Sequence, residues 1–109
     1  MGGTVPVAMA DQAGEKARRR AARALVGDYH EHELTALLEH VRQGFARLDA
    51  GELDAFELDE LIHRYKRSAR ELWKFCNLNR PETVAWMLED EQQRGEVIDW
   101  WSAGEPRRR

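Results

Sequence analysis

The feature that most constrains this chain is a six-residue turn, Leu48-Asp49-Ala50-Gly51-Glu52-Leu53, set between two stretches of helical apolar periodicity. Before it, Leu34, Leu37, Leu38, Val41, Phe45 and Leu48 follow one another at steps of three and four, which places them on one side of a helix. After it, Leu58, Leu61, Ile62, Tyr65, Ala69, Leu72 and Cys76 repeat the pattern. Gly51 supplies the left-handed conformation that closes the first helix. Asp54 and Glu57 have the capping-box spacing that opens the second, with Leu53 ahead of the cap as a staple toward Leu58. So short a connection folds the two helices back antiparallel, stripe to stripe, and Gly44 and Ala69 let the backbones approach.

The same punctuation predicts the other boundaries. Asp28 and Glu31 have capping-box spacing, so the first helix is expected from about Tyr29 to Ala50. Pro81 disfavours helix at Arg80 and suits the first turn of a new one, so the second helix should stop near Asn77 to Asn79 and a third should run from Pro81 to about Arg94, stopped by Gly95. Val97, Ile98, Trp100 and Trp101 then form an aromatic segment that folds onto the hairpin or onto a partner. The expectation is an all-α chain: an antiparallel two-helix hairpin, a shorter third helix and a Trp-rich C-terminal segment. Residues 28–104 are its single domain, residues 1–27 a disordered or marginally helical basic arm, and residues 105–109 a basic tail. Within the arm, Met1 to Ala13 is read as disordered, because it lacks the periodicity that offsets ordering entropy.

Charge is segregated. Residues 1–27 carry five basic and two acidic side chains, residues 28–104 nine and seventeen, and residues 105–109 three and one, for a net charge of -3. An acidic body argues against a folded surface devoted to nucleic acid, since phosphate binding needs a positive face. The basic ends keep a nucleic-acid accessory role open. One cysteine, Cys76, allows no internal disulfide, and the first residues lack the apolar run of a secretory signal. No apolar stretch approaches the roughly 20 residues that span a bilayer. A cytoplasmic protein with no membrane partner is the expectation.

Three sets of residues bear on function. Glu60 and His63 have the Glu-x-x-His spacing of helical di-iron proteins, and Glu33 and His40 on the first helix could join them as metal ligands. However, Glu60 and His63 lie opposite the buried stripe of their helix, where a solvated charged face is the plainer reading. Arg67, Arg70 and Lys74 form a basic stripe that could meet phosphates or an acidic partner, or simply complement the helix C-terminus and Glu71. Trp73, Trp86, Trp100 and Trp101 crowd the C-terminal half. Trp both enlarges thin cores and anchors interfaces, and Trp86, Trp100, Trp101 and Phe75 are the candidate interface. Cys76 has no base beside it in the pattern and reads as a small core residue. No phosphate loop, dinucleotide fingerprint or zinc spacing occurs, so no cofactor is expected.

The segment Phe45-Ala46-Arg47-Leu48-Asp49-Ala50-Gly51-Glu52-Leu53 resembles the helix, Gly-Glu-Leu turn, helix hairpin of the exonuclease VII small subunit over about forty residues. That family is a noncatalytic helical partner of a larger nuclease subunit. The chain departs from it in the phase of Leu58, Leu61 and Ile62 and in its added Trp-rich segment. Tyr29-His30-Glu31-His32-Glu33-Leu34 and His63-Arg64-Tyr65-Lys66-Arg67 are also similar to small helical proteins of high-GC actinobacteria, which implies no activity. Together these readings lead to the expectation of a noncatalytic interaction protein, a homo-oligomer or an accessory subunit with a protein partner. A metal-binding helical protein and a nucleic-acid accessory factor are the alternatives.

Overall fold

Helix-favouring Ala, Arg, Leu and Glu dominate the chain from its first turns, and the computed structural model, which describes residues 7–106, is built from helices alone. Helix α1 spans Val7–Asp49, α2 Ala55–Asn77, α3 Pro81–Arg94 and α4 Trp100–Ala103. No strand occurs among the described residues. The all-α hairpin with a shorter third helix and a folded-back Trp segment is the architecture observed.

Two helix ends close as their glycines require. Gly51 (φ 75°) and Gly95 (φ 70°) are left-handed. In each case the following residue's N–H reaches back to the carbonyl five residues before it, Glu52 to Arg47 at 2.8 Å and Glu96 to Glu91 at 3.0 Å. The capping box of α2 forms, with Glu57 N–H donating to Asp54 Oδ1 at 2.7 Å and Asp54 N–H donating to Glu57 Oε1 at 3.2 Å.

The start of α1 differs from expectation. The Asp28–Glu31 box is not used; the helix runs straight through it and includes the 14–26 segment, expected to be a marginal helix or a frayed arm. The reason is packing: Ala22 and Val26 are buried, and α3 lies along this part of α1, with Arg19 Nε 3.8 Å from Glu82 Oε1. Of the segment expected to be disordered, residues 7–13 are helical. Residues 1–6 and the Arg107, Arg108 and Arg109 tail lie outside the described residues.

The core is thin. Val26, Leu37, Leu72, Cys76, Val84 and Trp100 form its buried cluster, with Tyr29, Leu34, Tyr65, Phe75 and Ile98 packed around them. On α1 the buried line is Ala22, Val26, Leu37 and Gly44, rotated from the leucine stripe, so Leu38 and Phe45 remain half exposed. A side chain at Gly44 would meet Leu58 Cδ1 at 2.9 Å and Leu61 Cδ1 at 3.2 Å, which confirms the close approach of α1 and α2 there.

Candidate interaction surfaces

The C-terminal segment is locked onto the hairpin by side chains of both long helices. Asp99 opens α4 by accepting from Ser102 N–H at 3.3 Å and Ser102 Oγ at 2.6 Å, and this capping holds its carboxyl below the usual carboxylate range. The carbonyls at the other end of α4 are taken by α2: Arg64 Nε donates to Trp101 O at 3.1 Å, Ser68 Oγ to Trp101 O at 3.3 Å and Arg67 Nε to Gly104 O at 2.8 Å. Gly104 is buried flat against α2, where an added Cβ would collide with Ser68 Oγ and lie 2.7 Å from Arg64 O.

The two adjacent tryptophans do different things. Trp100 is buried, donates through Nε1 to the Tyr29 hydroxyl at 2.8 Å and lies 5.3 Å from the Phe75 ring. Trp101 is layered between the His40 ring, parallel at 4.0 Å, and the Arg64 guanidinium at 4.4 Å. Burial pushes the Tyr29 phenol up to about 12 despite the bond from Trp100.

These placements sort the residues singled out in the sequence. Trp100, Trp101 and Phe75 are engaged inside the chain, whereas Trp86 is 64% exposed. Arg67 of the basic stripe holds the Gly104 carbonyl, Lys74 pairs with Glu71 at 3.1 Å, and Arg70 is exposed. His40 is stacked on Trp101, Glu33 borders the groove described next, and Glu60 and His63 are exposed on α2. His63 Nδ1 lies 2.8 Å from the Asp59 carbonyl. Among the described residues no group of three or more His, Cys, Asp or Glu side chains gathers as a metal centre. Cys76 is buried, and burial with the nearby Glu33 pushes its thiol up to about 11, so it is protonated at neutral pH.

What the sequence did not disclose is a groove of about 340 Å³ between α1 and α3. Its apolar lining is Leu25, Tyr29, Leu88 and Ile98, with the exposed Val97 at its edge, and Glu33, Glu89, Glu91 and Glu96 make the rest of the lining acidic. Burial, then Glu96 and Asp90, raises the Glu91 carboxyl. Trp86 and Leu25 share the adjoining surface with Ala22 and Glu82. The parallel course of α1 and α3 creates this groove, and it depends on the arm being helical, which no spacing in the sequence required.

No protein family, characterised protein or solved structure matches this chain. The assignment of function therefore depends on its surfaces. No helix among the described residues is long and apolar enough to cross a membrane.

Proposed function

We propose that the chain is a noncatalytic helical interaction protein of the cytoplasm, self-associating or serving as an accessory subunit of a larger assembly. The observation that carries this reading is the exposure of Trp86, Leu25 and Val97 (64%, 43% and 85%) around an acid-rimmed apolar groove, on a molecule that also leaves Leu38, Phe45 and Trp73 half uncovered. Apolar surface on this scale marks interfaces more often than it is tolerated on a free monomer. The role implied by the likeness to the exonuclease VII small subunit, a noncatalytic helical partner, is of the same kind. The test is mass by light scattering at tens of micromolar, together with capture of partners on the tagged chain and on a Trp86→Ser variant of unchanged helicity. A monomer that retains no partner sensitive to any exposed apolar residue refutes the reading.

One observation favours a second reading, a nucleic-acid accessory role: Lys16, Arg19, Arg20 and Arg23 border one surface depression of α1. Such binding must fall steeply with salt. Absence of binding to duplex or single-stranded DNA and RNA at low salt removes it.

A further inference from the structure

The hairpin has two broad sides, and α3 and α4 cover only one. On α1 that side is marked by His40, stacked on Trp101. On α2 it is marked by Arg64 and Ser68, which hold the end of α4. At about 100° per residue, Leu34, Leu38, Val41 and Phe45 of α1 and Ile62, Ala69 and Trp73 of α2 lie toward the other side, together with the exposed Lys66, a side chain long enough to lay its stem along apolar surface and carry its charge to the rim. Leu38, Phe45 and Trp73 there are 46%, 49% and 52% exposed. The contact of Gly44 with Leu58 and Leu61 fixes the register of the two helices. It sets Val41 near the level of Ile62 and Leu34 near that of Ala69, so the side chains form one continuous strip.

The rim of the strip identifies its occupant. Glu31 and Arg42 edge it on α1, and Asp59 and Arg70 edge it on α2; within each pair the residues are about three turns apart and so share a rim. All four are exposed. Because the helices are antiparallel, Glu31 stands near the level of Arg70, and Arg42 near that of Asp59. A twofold axis along the strip lays α1 on the partner's α2, and then each of these acids meets a base of the other copy. A twofold axis across the strip lays α1 on the partner's α1, which sets Glu31 against the partner's Arg42 and Asp59 against the partner's Arg70. The second operation also sets Lys66 close to the partner's Lys66, so the strip is complementary to itself under the first, which keeps the two lysines apart. Its size is adequate. The 23-residue α2 is roughly 35 Å long and two helices side by side are about 20 Å wide, giving about 700 Å² per copy against about 800 Å² in a standard interface.

We propose that this strip, on the side of the hairpin away from α4, is the interface of a homodimer in which two hairpins pack face to face as four helices. The inference rests on the interaction reading above but names a different surface from the Trp86 groove, so the two can fail separately.

Sedimentation velocity on the full chain, from one to one hundred micromolar, tests it. The expected result is a monomer–dimer equilibrium, with the dissociation constant raised at least tenfold in Leu38→Ser/Trp73→Ser and in Glu31→Arg/Asp59→Arg. The second variant changes only exposed charges, so it remains informative if the first is poorly folded. Adding Arg70→Glu and Arg42→Glu to the charge variant reverses all four rim charges and restores dimerisation. A full chain that stays monomeric at one hundred micromolar overturns the proposal. A dimer indifferent to these variants but dissolved by Trp86→Ser also overturns it, while leaving the interaction reading intact.

Discussion

Single side chains at the α2–α4 contact have effects that their types do not announce. Gly104 is the clearest: with Ser68 Oγ and the α2 backbone against its Cα, Gly104→Ala forces α4 away from α2. It should destabilise the chain by about 1–3 kcal/mol, the usual range for overpacking, measured by urea unfolding; an unchanged midpoint would disprove the contact. Tyr29→Phe removes the acceptor for Trp100 Nε1 and should cost about 1–3 kcal/mol, because the indole N–H is left without its partner. The same residue governs alkaline stability. Its phenol titrates near 12 in the fold against 10.0 when exposed, so the folded chain keeps a proton that the unfolded chain loses. That contribution is complete below pH 10 and fades as pH rises toward 12. The wild-type chain should therefore lose stability over this window more steeply than Tyr29→Phe. Little of this was legible beforehand. His40 and Trp101 are far apart in sequence, so His40 entered as a metal candidate and Trp101 as an interface residue, and only the folded-back segment makes them each other's stacking partner.

Elements were legible where local chemistry decides them. The turn glycine Gly51, the Asp54–Glu57 box, Pro81 and Gly95 act within one or two turns, and each performs as its type predicts. The Asp28–Glu31 box failed for a reason of the same scale. A capping box competes with continued helix, and here Ala22 and Val26 gain burial against the rest of the molecule only if the helix continues. The exception inside α1 is Gly27, which is exposed, has no positive φ, and offers open space for a Cβ. Gly27→Ala should thus raise stability by about 0.5–1 kcal/mol, through better helix propensity and a less disordered unfolded state. Thermal unfolding followed by circular dichroism measures it. A loss of stability would show that α1 is not continuous at residue 27. Glu91→Gln on α3 tests the groove: because burial and Glu96 raise that carboxyl, neutralising it should raise the melting midpoint at pH 7, with a gain that disappears in acid as Glu91 itself takes a proton.

At the scale of the whole molecule, eight apolar residues are buried among those described, and one of them, Trp100, arrives from the C-terminal segment. A hairpin of two helices buries one stripe of each and leaves Ser68, beside that stripe on α2, needing cover, which α4 provides. Fold class was legible because periodicity and caps are local, whereas the choice of side was not, since it depends on where residues 96–104 return. Removing everything after Gly95 should therefore act as a core deletion. Loss of a buried Trp alone is worth about 3–5 kcal/mol, against total stabilities of about 5–15 kcal/mol for domains in general. The truncated chain should keep much of its helical circular dichroism but lose its cooperative urea transition. Trp100→Leu, which retains the cap at Asp99 and the carbonyl bonds from Arg64 and Arg67, should fall between the truncated and full-length chains. A truncated chain that unfolds at the full-length midpoint would mean that α4 rests on the hairpin without stabilising it.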